Sequence, residues 1–294
     1  MSTTLFDNIT EIPNQDIQAR AVSLIGFTKR FERIHFNLRL LLDPAGLKKW
    51  SVEHHGAALP ILASMTDRYP LVILEGDAGT GKTASAEAIA DQIARELKLD
   101  GYFIKLSTRV RGEGLHGQMA QLVNEAFDRL KKESKEGIAF LLIDEADAIA
   151  TTRSTNQMHQ EEKAAVNTLI QKIDDLRSLK GRAIVMLSTN RLHFLDEAIV
   201  RRAAVIMTFE RPSEEERREL LQRELQGIKL TSKELEELVQ LTGPEKNDGL
   251  GYSFSDLRLR FLPEAIAQAY PSQPLTVALL KSTLKQMQPS PAIK

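Results

Sequence analysis

The sequence contains no cysteine. That excludes disulfides and cysteine-ligated zinc, and it fits a reducing compartment. Aromatic residues are scarce, at 5% with a single Trp, and neither sign of charge prevails, the formal net charge being −1. A chain so balanced has no global field to draw nucleic acid or an anionic membrane. No apolar run approaches the ~18 residues of a membrane-spanning helix. The opening stretch, "MSTTLFDNITEIPNQ", lacks the charged-then-apolar pattern of a signal peptide, so a cytoplasmic protein is expected. Internal repeats and low-complexity segments are absent as well. What remains is a globular chain of 294 residues, 42% hydrophobic. That length suggests two domains at one per ~150 residues.

Glycine, by contrast, is concentrated. In "LVILEGDAGTGKTASAEAIA", Leu71 to Ala90, an apolar run stops and Gly76, Gly79 and Gly81 crowd beside Lys82. The spacing Gly76, four residues, then Gly81-Lys82-Thr83 is the phosphate-loop pattern. Backbone N–H groups can wrap a polyphosphate only where no Cβ intervenes, and the N-terminus of the following helix favours the same anion. The candidate nucleotide-binding residues are therefore Gly76, Asp77, Ala78, Gly79, Thr80, Gly81, Lys82, Thr83 and Ala84. Lys82 reaches terminal phosphates and the Thr83 hydroxyl holds Mg²⁺, so a nucleoside polyphosphate with Mg²⁺ is the expected ligand.

Hydrophobic periodicity places this loop in an α/β fold. Leu71–Leu74 reads as a strand, followed by a helical stripe at Ala86, Ile89, Ala90, Ile93 and Leu97. Tyr102–Leu106, Ile138–Ile143, Ala183–Ser188 and Ala204–Phe209 read as four more strands, interleaved with stripes such as Met119, Leu122, Val123, Ala126 and Leu130. Near-continuous apolar strands separated by amphipathic helices imply a five-stranded parallel sheet covered on both faces. At Pro212 the texture changes: capping boxes at Ser213/Glu216 and Thr231/Glu234 open helical stripes, and no strand follows. The expected domains are a helical extension over 1–66, an α/β nucleotide-binding domain over 67–211 and a small helical domain over 212–294, with the terminal "QPSPAIK" frayed.

Three features follow the loop. "FLLIDEAD" ends its strand in Asp144-Glu145, at the edge where such sheets bind ligands. Asp144 can share Mg²⁺ with Thr83, and Glu145 can orient and deprotonate a water attacking the γ-phosphate. "MLSTN" ends in Asn190, an amide able to contact the γ-phosphate or that water; as Asn also favours turns, it signifies little alone. "EAIVRRAAVIMTF" carries Arg201 and Arg202, either of which could stabilise charge developing in phosphoryl transfer or could be a surface ion pair.

In this order the motifs GDAGTGKT, LLIDEAD, STN and the arginine pair, with a helical lid behind them, resemble the AAA+ ATPase superfamily over roughly residues 67–270. "GYSFSDL" (Gly251–Leu257) looks like the entry to that family's lid helix. The resemblance implies ATP hydrolysis by a ring, usually a homo-hexamer, that pulls on another macromolecule. The stretches "LLIDEADAIATTRS", with Arg153, "KAAVNTLIQKIDDL" and "EAIVRRAAVIMTFERPS" are similar to the branch that remodels HORMA-domain proteins. That likeness implies Arg202 as the finger toward a neighbouring subunit. It also implies a HORMA-domain protein partner and an associated nucleotide cyclase, because bacterial members are linked to anti-phage (CBASS) systems using nucleotide second messengers. Two departures stand out. Where the family's pore loop carries an aromatic, the segment here is "RVRGEGLHGQM", so Leu115 and His116 are the expected substrate-gripping tip. Where many relatives carry a lid arginine at the γ-phosphate, the simplest alignment gives Ser255, leaving Arg258, one turn on, as the substitute or else as a surface charge.

Other functions stay in view. A nucleic-acid motor or clamp-loader-like switch would want basic loops with stacking aromatics; Arg109 and Arg111 are its support, and the charge balance and few aromatics weigh against it. A general protein unfoldase is a further alternative. A non-catalytic ATP-binding scaffold would require a broken lysine or acidic pair, whereas Lys82, Asp144 and Glu145 are all present.

Overall fold

Six strands form one sheet in the order β1-β3-β4-β5-β2-β6. The computed structural model describes residues 6–106, 118–151 and 160–293. Its chain divides into two units: residues up to Glu75 with Thr83–Thr208, and Gly76–Lys82 with the residues from Phe209 onward.

The first unit opens with β1 (Phe6–Ile12), then α1 (Gln15–Ser23), α2 (Phe27–Leu42), α3 (Pro44–His55) and α4 (Ile61–Thr66). Next come β2 (Leu71–Gly76), α5 (Lys82–Leu97), β3 (Gly101–Leu106), α6 (Gln118–Glu133), β4 (Ile138–Ile143), α7 (Gln160–Leu176), β5 (Ala183–Thr189), α8 (Glu197–Val200) and β6 (Val205–Phe209). All five expected strands are present. β3, β4, β5 and β2 pair in parallel, as the unbroken apolar runs require of strands covered on both faces. Every residue of β4 and β5 is buried. Val123, Ala126, Phe127 and Leu130 of α6 and Val166, Leu169 and Ile173 of α7 pack into the core that includes Leu141, Ile143, Val185 and Leu187. Each large apolar side chain so buried contributes on the order of 2 kcal/mol.

One strand was not foreseen. The stretch expected as a helical extension begins with β1, which adds antiparallel to β3, Ile9 opposite Ile104 and Ile12 opposite Gly101. As an edge strand buried mainly through Ile12, it carries too little alternation to stand out. The helix after it, α1, is tied to the phosphate-loop helix α5. Asn14 caps α1 with its side chain, donates its N–H to Asp91, and accepts at its carbonyl from Arg95 (2.8 Å). Arg20 pairs with Glu87 at 3.1 Å.

The second unit contains the phosphate loop and four helices: α9 (Glu214–Glu224), α10 (Ser232–Leu241), α11 (Leu262–Ala269) and α12 (Val277–Gln286). Both capping boxes read from the sequence are formed. A wider π-helical turn, Asp256–Phe261, leads into α11. The terminal stretch corrects an expectation. Instead of fraying, it is seated along this unit: the Tyr252 hydroxyl donates to the Met287 carbonyl (2.9 Å), the Ser290 hydroxyl to Asp256 (2.5 Å), and the Ile293 N–H to Asp77 (3.0 Å).

Candidate active site

Parallel pairing decides which residues line the carboxyl edge of the sheet. Ile143 of β4 lies opposite Leu187 of β5, and Thr189 opposite Glu75 of β2. The residues that follow, Asp144 and Asn190, therefore emerge from neighbouring strands at the same edge, where open α/β sheets bind ligands.

In the first unit the Thr83 hydroxyl, on the first turn of α5, donates to Asp144 Oδ2 at 2.7 Å. The other Asp144 oxygen accepts the Glu145 N–H at 3.0 Å. Glu145 adopts a left-handed backbone (φ 48°), uncommon for a residue with a Cβ, and its side chain is exposed beyond the strand end. A hydroxyl and a carboxylate in contact form a hard-oxygen donor pair. No cluster of three or more His, Cys, Asp or Glu able to hold a metal occurs among the described residues. That donor set fits Mg²⁺, which takes one or two protein oxygens and fills its octahedron with water and phosphate.

Asn190 follows β5 in a bend whose flanks are pinned. The Thr189 hydroxyl donates to Asp147 Oδ1 at 2.9 Å and accepts the Arg191 N–H at 2.9 Å. Sequence reasoning missed Asp147 and Thr189 as supports, although Asp147 closes the DEAD tetrapeptide and offered the signal.

In the second unit the phosphate loop is shaped by close backbone approach. A Cβ on Gly76 (φ 141°) would lie 2.0 Å from the Phe209 carbonyl oxygen. One on Gly79 (φ 75°) would lie within 2.9 Å of Ser253 and Ser255 side-chain atoms. Thr80 donates its hydroxyl to the Asp77 carbonyl (2.8 Å), and Lys82 donates Nζ to the carbonyls of Gly76 and Asp77 (2.8 Å each). Lys82 is buried with 7% of its surface exposed, so its ammonium is held at the loop. Ala78, Gly81 and Ala84 complete the segment, Gly81 with φ 93° and open space where a Cβ would stand.

Each remaining expected residue among those described has partners of its own within its unit. Arg202 pairs with Asp174 of α7 through two bonds (2.6 and 3.1 Å), donates to the Ala198 carbonyl (2.9 Å), and stands over the Tyr69 ring at 5.2 Å. Its hydrogen bonds to the Asp174 carboxylate push its pKa above the ordinary arginine value. Arg201 is exposed and meets only Glu197, at 3.0 Å, among the contacts described for it. Arg258 pairs with Glu224 of α9 at 2.9 Å. Ser255, one turn before Arg258, gives its N–H to the Gly79 carbonyl at 3.1 Å. Leu115, His116, Arg109, Arg111 and Arg153 lie outside the described residues.

The ATPase family associated with various cellular activities (AAA) matches residues 72–211. CD-NTase-associated protein 6 of Escherichia coli (strain KTE188) is 42% identical over 99% of this chain and 98% of its own. Among solved structures, a chain of the E. coli MS115-1 HORMA:CdnC:Trip13 complex superposes with a TM-score of 0.91 at 39% identity, covering 100% of both chains. Rhizobiales Trip13 superposes at 0.75 with 33% identity, over 98% of this chain and 100% of its own. The C. elegans PCH-2 structure, at 17% identity, shares the fold. With its phosphate loop, acidic strand end and helical second unit, the chain belongs to the AAA ATPase family, among the CD-NTase-associated protein 6 relatives.

Proposed function

We propose that this chain hydrolyses ATP in a cytoplasmic homo-hexameric ring and uses the energy to remodel a HORMA-domain protein that works with a nucleotide cyclase in anti-phage signalling. The observation that carries the hydrolytic part is the 2.7 Å contact between Thr83 and Asp144, with Glu145 next in the chain. The partner follows from likeness to a chain of the HORMA:CdnC:Trip13 complex along the entire length. No helix among the described residues is long and apolar enough to cross a membrane.

Each group has a task. The phosphate loop binds the triphosphate through its N–H groups, with Lys82 supplying a positive charge. Thr83 and Asp144 would hold Mg²⁺, which when bound neutralises charge on the phosphates. Glu145 accepts a proton from the attacking water, and Asn190, set by Thr189 and Asp147, orients that water or the γ-phosphate. Arg202, with Arg201 as its neighbour, reaches a bound nucleotide of the adjoining subunit. Arg258 contributes to the nucleotide from the lid, and Leu115 and His116 grip the substrate.

The test is phosphate release by the purified chain, alone, with a purified bacterial HORMA-domain protein, and with single-stranded or duplex DNA. Stimulation by the HORMA-domain protein supports the proposal. Stimulation by DNA alone transfers the chain to the nucleic-acid motors, and stimulation by unfolded proteins at large makes it a general unfoldase.

A further inference from the structure

A carboxylate within a phosphate loop is out of place on charge grounds, because it repels the anion that the loop wraps. Asp77 is such a carboxylate, and both of its oxygens are engaged inside the second unit. Oδ2 accepts from Arg211 Nε at 2.8 Å, and Oδ1 accepts the Ile293 N–H at 3.0 Å. Its carbonyl meanwhile accepts from Lys82 Nζ and from the Thr80 hydroxyl, at 2.8 Å each. The residue that holds the lysine through its backbone is thus itself held through its side chain.

Arg211 connects this loop to the segment that follows α12. Its side chain is 11% exposed, and it donates to the carbonyls of Gly251 and Ser290 at 2.7 Å each. Ser290 is anchored in turn on Asp256, whose side chain is 1% exposed: its hydroxyl donates at 2.5 Å and its N–H at 3.2 Å. Asp256 also accepts from Ser253 N–H and hydroxyl (2.9 Å each) and from Arg260 (2.6 Å). Such a connected, satisfied polar network resists distortion more than its bonds taken singly.

We propose that residues Met287–Ile293 form a strap that positions the phosphate loop for nucleotide, acting through Asp77 and Arg211. The strap neutralises and orients Asp77: Ile293 supplies one donor directly, and Ser290 fixes the arginine that supplies the other. With the strap in place the Asp77 carboxylate is turned away and its carbonyl stays where Lys82 requires it. The proposal rests on the nucleotide-binding reading above. Asp77, Arg211 and the strap are positioning groups and do not take part in the chemistry.

The experiment titrates the full chain, a chain ending at Met287, Asp77→Ala, and the combination of the last two with a fluorescent ATP analogue. Binding by the full chain comes first, and its absence refutes the nucleotide reading itself. Given that binding, ending the chain at Met287 weakens affinity about tenfold, the scale of a charge-assisted hydrogen bond net of water. In the Asp77→Ala background the same shortening has less than about a twofold effect, since coupled groups are not additive. Because binding is lost equally in ground and transition states, the KM for ATP rises while kcat at saturation stays within about twofold. Should the shortened chain fold poorly, Ile293→Pro removes a single N–H donor, with about a threefold loss expected. Unchanged or tighter binding in the folded variants overturns the proposal, as does an equal loss with and without the Asp77 carboxylate.

Discussion

Arg202 is asked to serve a neighbour's active site, yet within its own chain it is already bonded to Asp174, and the sizes of the two interactions decide whether both can hold. The side chains of the pair are 23% and 35% exposed, so their bidentate contact is worth about 1 kcal/mol after solvent screening. The Tyr69 ring, 5.2 Å from the guanidinium, adds about 0.5 kcal/mol. A finger that stabilises a transferring phosphoryl group accelerates the reaction on the order of 10³-fold or more, about 4 kcal/mol. With the bond to the Ala198 carbonyl adding about 1 kcal/mol, leaving these partners costs about 2.5 kcal/mol, still less than the finger contributes. Arg202→Ala should lower phosphate release at saturating ATP about 10³-fold. Asp174→Ala should change it by no more than about fivefold, the Boltzmann weight of the pair. Arg202→Lys, which keeps the charge and loses the fork, should stay near the alanine level. Equal losses for Arg202→Ala and Asp174→Ala would refute the reasoning, since the arginine would then matter through its ion pair. A mixture supplies the remaining distinction. Lys82→Ala subunits offer Arg202 but bind nucleotide poorly, and Arg202→Ala subunits bind nucleotide but lack the finger. Rings that exchange these subunits regain activity where a sound site meets a sound finger. No recovery means that Arg202 does not act in trans, and Arg201, exposed and held only at the surface by Glu197, becomes the arginine to replace.

Glu145→Gln should bind ATP with unchanged affinity and lose turnover, read by analogue titration beside phosphate release; turnover at the unmodified rate removes the base assignment. Lys82→Ala should weaken nucleotide binding itself by about tenfold or more, because it removes a charged donor from the loop. Asp256 offers a pH signature. Burial raises its pKa, but hydrogen bonds from Ser290, Ser253 and Arg260 outweigh that and lower it to about 2. The depressed pKa gives stability that is present above the unfolded value of about 4 and is lost as pH falls through about 2, roughly 2 kcal/mol for the buried group. Asp256→Asn should flatten the thermal-unfolding midpoint of the second unit between those pH values, and an unaltered slope there counts against the network.

The phosphate loop and Asp144-Glu145 were legible because each pattern is local: one strand end, one turn and one helix start carry the loop, and a second strand end carries the acidic pair. The inner strands β2 to β5 were legible for a related reason, since burial on both faces forces apolar runs such as Ile138–Ile143. At the edge, β6 was legible from its apolar run although Ile206 is exposed. β1 was not, because an edge strand needs one apolar face and gains much of its order from the ladder with β3. The strap was hidden more deeply. "QPSPAIK" has two prolines, little apolar content and no period, so its own chemistry argues for a frayed end. It is held by partners far away in the chain, Ile293 meeting Asp77 across 216 positions. Ser255 shows the same limit: spacing drew attention to Arg258, while the register of the π-helical turn set Ser255 against Gly79. One sequence signal did point past local pattern. A carboxylate at Asp77, inside a loop built for an anion, demands a cation and donors from elsewhere. Following that demand leads to Arg211, from there to Ser290 and Asp256, and so to the segment that periodicity alone would discard. Charges that oppose the purpose of their surroundings thus locate long-range partners that no motif encodes.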